Sequence, residues 1–267
     1  MGLAMEAAAE AGIPFYVLDR PNPVGGDYVA GWTMQPEYES FVGQFPIPLA
    51  HGLTVGELAQ MIKGEAMMDG LEDLDLRVIE MQGWNRAQRW DATGLEWNPP
   101  SPNLPTFETA ALYPGTGFME ALGGSEGRGT DAPFARIGAT WADADALAAD
   151  LNGRNLPGVR FESVVFSPQP NDGAAKPRFM GEQVQGVRMF VTDHQALRPV
   201  ELGVHMATAL RSQGTLDQLI ERPEWLRRFR ADAALRIRRR RHHRLVAVGC
   251  RRVRSRTRAV PAVRLMT

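Results

Sequence analysis

Apolar and polar positions divide the chain into alternating helical and extended segments. Leu3 to Ala11 is rich in Ala, Met and Glu and predicts a helix, with Gly12 as its stop. The next run, Ile13-Pro14-Phe15-Tyr16-Val17-Leu18, is continuously apolar, the pattern of a strand buried in a parallel sheet. Such a strand needs neighbours on both sides, and little before it can supply them, so the sheet is expected to be incomplete. Residues 20–53 carry no clear period and many Pro and Gly, which predicts a long irregular stretch, functional rather than disordered because Trp32, Tyr38, Phe41, Phe45 and Ile47 lie in it. Thr54 with Glu57 three positions on predicts a capping box. Val55, Leu58, Ala59, Ile62 and Ala66 then recur at helical spacing. Leu71 to Asp75 reads as a linker. Beyond it the pattern predicts strands over 76–81, 110–113, 134–138, 159–166 and 186–192, a helical turn over 117–121, and helices over 143–151 and 200–212. This alternation is an α/β pattern in two parts.

Composition narrows the function only by exclusion. The chain has 267 residues, 44% hydrophobic and 23% charged, which is ordinary for a globular protein. Cys250 is the single cysteine, so there is no intrachain disulfide framework and no thiolate metal cluster. His51, His194, His205, His242 and His243 have no metal-ligand spacing, and no metal is expected. No phosphate loop or dinucleotide fingerprint is present, and no cofactor is expected. No apolar run is long enough to span a bilayer, and Met1 to Glu6 lacks the basic start and apolar core of a signal peptide.

The net charge of −1 conceals two regimes. From Arg222 onward the chain is dense in arginine, with only Glu224 and Asp232 as acids. Arginine clusters attract phosphate, so nucleic-acid binding by this tail is one competing function, although no recognition motif accompanies it.

Four turn-rich segments stand out: 19–26 (Asp-Arg-Pro-Asn-Pro-Val-Gly-Gly), 51–59, beginning His51-Gly52, 101–106 (Ser-Pro-Asn-Leu-Pro-Thr) and 125–130 (Ser-Glu-Gly-Arg-Gly-Thr). Proline and glycine fix the backbone, so the polar groups between them are held in set directions. That suits a rigid sugar or anion site, and the segments are expected to converge on one saccharide groove. Asp19 follows the end of a strand, where open α/β sheets bind ligands. Each candidate has a plain alternative. Asn22 and Asn103 can bond sugar groups or form Asx-turns. Arg128, between two glycines, can grip a carboxylate or pair internally with an acid. His51 can bond a sugar, act in proton transfer or make an ordinary polar contact at a helix start, and Glu57 reads as the capping-box partner. Trp84, Trp90 and Trp97 can stack on sugars or pack in a core.

The ordered set of segments resembles the NamZ-type exo-β-N-acetylmuramidases, a family once catalogued as a domain of unknown function. The resemblance runs from about Leu3 to about Trp225. It rests on the four segments above together with Phe41-Val42-Gly43, Pro46-Ile47-Pro48, Tyr113-Pro114-Gly115-Thr116, Leu156-Pro157-Gly158-Val159 and Gly186-Val187…Val191-Thr192-Asp193. It implies the C-terminal part of a Rossmann-like domain over 1–70, followed by a second α/β domain over 74–230. Members begin with most of that Rossmann-like domain, including a Pro-Glu-His-Gly segment not seen here, so an N-terminal truncation is expected. Many carry Val-Glu-Gly-Pro where this chain has Val29-Ala30-Gly31-Trp32. The Arg-rich residues 235–267 depart from the family, and a reading-frame change is the expectation for them.

The implied activity is release of N-acetylmuramic acid from the non-reducing end of peptidoglycan fragments, in an extracytoplasmic or secreted setting. Two carboxyl groups ordinarily perform glycoside hydrolysis. The resemblance turns Glu6 toward the cleft between the two domains and makes it the leading acid/base; a solvated helix glutamate is the alternative, and Glu10 is a weaker candidate. Asp19, Arg20, Asn22, His51, Asn103, Glu126 and Arg128 are the implied substrate-binding residues. Arg20 and Arg128 are implied readers of the lactyl carboxylate that distinguishes muramic acid from N-acetylglucosamine. A catalytically incomplete remnant that at most binds glycan is the alternative function.

Overall fold

A computed structural model describes residues 1–214. The Arg-rich segment 235–267 lies outside the described residues. The chain forms two compact units, dividing after Thr93, and both are mixed α/β.

In the first unit, α1 (Gly2–Glu10) precedes β1 (Phe15–Leu18), and α2 (Val55–Gly64) precedes β4 (Leu76–Ile79). β1 and β4 pair in parallel, with Phe15 opposite Leu76 and Leu18 opposite Ile79. Met5 and Ala8 of α1 and Ala59 and Ile62 of α2 pack with Val17, Leu71 and Leu74 into one core, with Phe15, Leu76 and Val78 against it. The strand expected at 13–18 is therefore present and parallel, but it is buried on one face only. Leu18 is 70% exposed, and Tyr16 and Ile79 point the same way. Parallel strands are ordinarily covered on both faces, so this pair has the form of a partial sheet. The 71–75 segment does not separate β4 from the first unit: β4 is the hydrogen-bonding partner of β1, and its apolar Leu76 and Val78 complete that core. The stretch expected to be irregular holds a short antiparallel pair, β2 (Ala30–Thr33) and β3 (Pro48–Ala50).

In the second unit, β5 (Arg136–Ala139), β6 (Val159–Phe166) and β7 (Val184–Val191) form an antiparallel sheet in the order β5-β7-β6. Ser125 adds to the free edge of β5 through paired backbone bonds with Gly138. Three helices accompany the sheet: α3 (Phe107–Thr116), α4 (Ala144–Gly153) and α5 (Pro199–Gln213). Leu112, Met119, Ile137, Leu147, Leu151, Met189, Leu202 and Met206 are fully buried in its core. The strand expected at 110–113 is helix instead. Thr106 and Thr109 cap α3 reciprocally, and Ala111, Leu112 and Gly115 are buried at helical rather than alternating spacing. Four residues were too few to separate the two periods.

Among the described residues no helix is long and apolar enough to cross a membrane.

Candidate functional site

The candidates of the first unit gather at the N-terminus of α2. Thr54 caps the helix: its hydroxyl accepts from the Glu57 N–H at 3.1 Å, while the Glu57 carboxylate accepts from the Thr54 N–H at 3.0 Å. Asp19, one residue past β1, adds a second cap. Its Oδ2 accepts from the Thr54 hydroxyl at 2.9 Å and its Oδ1 from the Gly56 N–H at 2.8 Å. A carboxylate here meets unpaired helix N–H groups and the positive end of the helix dipole. The approach is close enough to require glycine at 56, where a Cβ would lie 2.8 Å from the Asp19 carboxyl carbon.

The flanking loops are tied to the same point. Asn22 donates to the Leu53 carbonyl at 3.0 Å and accepts from the Val24 N–H at 3.1 Å, an Asx-turn. Nδ1 of His51 accepts from the Leu53 N–H at 3.0 Å. That bond requires an unprotonated Nδ1, so the neutral ring carries its proton on Nε2. Burial also holds the His51 pKa below the ordinary histidine value. Arg86, which sequence reasoning did not single out, closes the arrangement. It pairs with Glu57 and donates to the Gly52 carbonyl at 2.7 Å and the Gly26 carbonyl at 3.1 Å. Nothing in its local sequence marks Arg86, because its partners lie 29 to 60 residues earlier.

Structure thus brings Asp19, Asn22 and His51 together. Glu6 is half-buried on α1, between the core residues Met5 and Ala8, and Glu10 is exposed. Arg20 is exposed. Neither the Glu6 carboxylate nor the Arg20 guanidinium has a hydrogen bond or ion pair among the described residues. Trp90 is buried, as the packing alternative for it expected.

In the second unit, Glu126 and Arg128 sit on a tightly held loop. Ser125 is fixed to β5 by its backbone bonds with Gly138, and the Glu126 carbonyl accepts from the Phe134 N–H at 2.7 Å. Gly127 and Gly129 both adopt φ of +78°. Both glycines also face carbonyls, since an added Cβ would lie 2.5 Å from the Arg136 oxygen and 2.5 Å from the Gln169 oxygen respectively. Arg128 therefore projects from a backbone with no freedom to turn.

Its guanidinium donates through Nη2 to Glu120 at 2.5 Å and lies over the Phe134 ring, 5.3 Å from its centroid. Phe134 itself has φ of +61°, uncommon for an aromatic residue, and its ring meets Tyr113 edge-on at 4.7 Å. Partial burial pushes the Tyr113 phenol pKa up; the Glu120 charge adds to that and the Arg128 charge opposes it. Glu126 is the one buried carboxylate among the described residues. Its Oε1 lies 3.7 Å from Nε of Arg128, beyond hydrogen-bond length. Asn103 donates to the Gly173 carbonyl at 2.7 Å. The same β6–β7 connection bonds Gly129 through the Gln169 N–H at 2.8 Å, linking the 101–106 and 125–130 segments. Glu120 escaped the sequence reading because no spacing rule joins it to Arg128 across an irregular segment, and Tyr113 entered it only within the Tyr113-Pro114-Gly115-Thr116 segment, not as a site residue. Among the described residues no cluster of His, Cys, Asp or Glu could hold a metal ion.

The glycine- and proline-locked loops of this α/β chain hold carboxylates, arginines and amides in fixed positions among the described residues. The chain belongs to the NamZ family: the domain described as "Exo-beta-N-acetylmuramidase NamZ, N-terminal" matches residues 1–108, and its C-terminal counterpart matches residues 111–255. The C-terminal match thus continues past Trp225, where the resemblance was expected to end, and into the Arg-rich segment expected to depart from the family. A curated relative, peptidoglycan beta-N-acetylmuramidase NamZ of Bacillus subtilis (strain 168), is 45% identical over 204 residues. That match covers 76% of this chain and 47% of the relative, so the chain spans about half the length of the curated relative it matches. Two crystal structures of DUF1343 family proteins from Bacteroides fragilis NCTC 9343 are similar. One has a TM-score of 0.72 and 35% identity, covering 97% of this chain and 62% of that one. The other has a TM-score of 0.64 and 25% identity, covering 93% and 68%.

Proposed function

We propose that this chain belongs to a glycosidase that releases N-acetylmuramic acid from the non-reducing end of peptidoglycan fragments. The observation that carries this reading is the 45% identity to a protein named as a peptidoglycan β-N-acetylmuramidase. The chemistry available is consistent with it. Glycoside hydrolysis ordinarily uses two carboxyl groups, one to protonate the departing oxygen and one to act as base or nucleophile. Glu6 is proposed as an acid/base: it is half-buried, and no side chain among the described residues neutralises it. Arg20 is proposed as the reader of the lactyl carboxylate, because its guanidinium is exposed and unengaged among the described residues. Asp19, Asn22 and His51 are proposed to shape the loops of the first unit at the sugar, with the Nε2–H of the neutral His51 ring as a donor for it.

Release of N-acetylmuramic acid from a defined muropeptide, followed by chromatography, tests the reading. A Glu6→Gln variant is expected to lower kcat at least about 100-fold, the scale of a lost general acid. A variant as fast as wild type removes Glu6 from the mechanism. One observation favours a second reading, glycan binding without turnover. The β1–β4 pair is open on the face bearing Tyr16, Leu18 and Ile79, which has the form of part of a larger sheet. Saturable binding of N-acetylmuramic acid with no product release would select it.

A further inference from the structure

Resting on the glycan reading above, the geometry around the start of α2 carries one step more: we propose that Arg86 is the positioning residue of His51, holding its ring as a fixed hydrogen-bond donor to an oxygen of the sugar and withholding it from proton transfer.

Three observations carry this. The first is the state of the ring. Nδ1 of His51 is occupied by the Leu53 N–H at 3.0 Å, and the proton of the neutral ring is on Nε2. Neither nitrogen has a lone pair to spare, so the ring cannot act as a base without giving up Leu53. To act as an acid it would need a second proton on Nδ1, aimed at the Leu53 N–H. What is left is the Nε2–H, which meets no acceptor among the described residues.

The second is how the turn after His51 is held. Gly52 adopts φ of +65°, and a Cβ there would lie 2.9 Å from the Gly26 carbonyl oxygen. Nη2 of Arg86 donates to the Gly52 carbonyl at 2.7 Å and to the Gly26 carbonyl at 3.1 Å. Two carbonyl oxygens directed at one point repel each other, and a cation between them turns the repulsion into two charge-assisted bonds. Asn22 holds the next carbonyl, that of Leu53, at 3.0 Å. The ring is thus fixed through Leu53, and the peptide that joins it to Leu53 is fixed through Arg86.

The third is that Arg86 is itself anchored. Its Nη1 pairs with Glu57, the capping-box residue. Its backbone carbonyl accepts from the Gly26 N–H at 2.7 Å and the Asp27 N–H at 3.1 Å. One residue therefore ties the 19–26 and 51–59 segments to the same helix start. The planar guanidinium reaches three acceptors in set directions; a lysine ammonium would bring the charge without that shape.

Calorimetric titration of N-acetylmuramic acid into the full chain tests this, comparing wild type, His51→Asn, Arg86→Lys and the double variant, with melting temperatures confirming folding. In His51→Asn an amide oxygen can still accept from the Leu53 N–H, as in an Asx-turn, while the donor at the Nε2 position is gone. This variant is expected to weaken binding about tenfold. Arg86→Lys alone is expected to weaken it about fivefold, and to add nothing in the His51→Asn background, because it acts through the lost donor. Wild-type affinity in His51→Asn overturns the donor role, since a group used only in proton transfer is missed in turnover and not in binding. The same loss from Arg86→Lys in both backgrounds, or no loss in either, overturns the positioning role. Wild-type protein that does not bind the sugar overturns the glycan reading itself, and this assignment with it, whereas either variant result leaves that reading standing. Should Arg86→Lys fail to fold, Glu57→Gln supplies the same comparison: its amide oxygen still accepts from the Thr54 N–H, but the ion pair that anchors Arg86 is gone. Its loss of affinity is expected only where His51 is intact, and an equal loss in the His51→Asn background overturns the assignment.

Discussion

The two units carry loops written in the same style, with prolines and glycines around a few polar groups, yet they use those groups differently. In the first unit Asp19, Asn22 and His51 are all bonded to main-chain groups around the start of α2. They hold the backbone. In the second unit Gly127 and Gly129 do the holding, and Glu126 is left buried without a hydrogen bond while Arg128 is shared between two acids. A polar side chain in a rigid loop can thus be the brace or the thing braced. Counting its bonds tells which; its residue type does not.

The contrast can be broken most forcefully at Asp19. Asp19→Ala removes the acceptor for both the Thr54 hydroxyl and the Gly56 N–H. Charge-assisted bonds of this kind imply a loss of about 3 kcal/mol. Urea unfolding measures it, and a loss below about 0.5 kcal/mol, the range of ordinary surface changes, would mean Asp19 is not a brace. Gly127→Ala is the counterpart in the second unit. It forces a side chain into φ +78° and a Cβ to within 2.5 Å of the Arg136 carbonyl. The expected destabilisation is about 2 kcal/mol, by the same measurement. Asn22→Ala sharpens the comparison with a smaller effect, about 1 kcal/mol, for one bond to Leu53 and one from Val24.

The smallest effect is a pH dependence from His51. Its folded pKa lies below the ordinary 6.5, because burial disfavours the charged ring. The unfolded chain therefore binds that proton first as pH falls. Stability from this residue is complete above about pH 6.5 and declines as pH drops toward the folded value. In His51→Gln the slope of stability against pH just below 6.5 should flatten; an unchanged slope would show that His51 does not supply it.

Much of the first unit was legible because its signals are local. The Thr54–Glu57 capping box needs four consecutive residues, and α1 and β1 fall where composition and the apolar run put them. The one-sided burial of β1 was not legible, since an apolar run reads the same whether one face or two is covered. The 110–113 segment failed for a related reason. Its apolar residues fit either period, and the Thr106–Thr109 cap upstream decided for helix. Within the candidate site, Glu126 and Arg128 were found from the glycines around them. Glu120, Tyr113 and Arg86 were not, because each joins the site through contacts distant in sequence.

By itself the sequence determined the α/β alternation, the family, and the loops in which polar residues would be held rigid. These follow from period, capping chemistry and the torsional limits of proline and glycine, all of which act over a few residues. Only the tertiary structure decided which of those polar groups are already satisfied. That depends on which carbonyls and N–H groups from remote segments come within about 3 Å, and no local rule of residue order carries that distance.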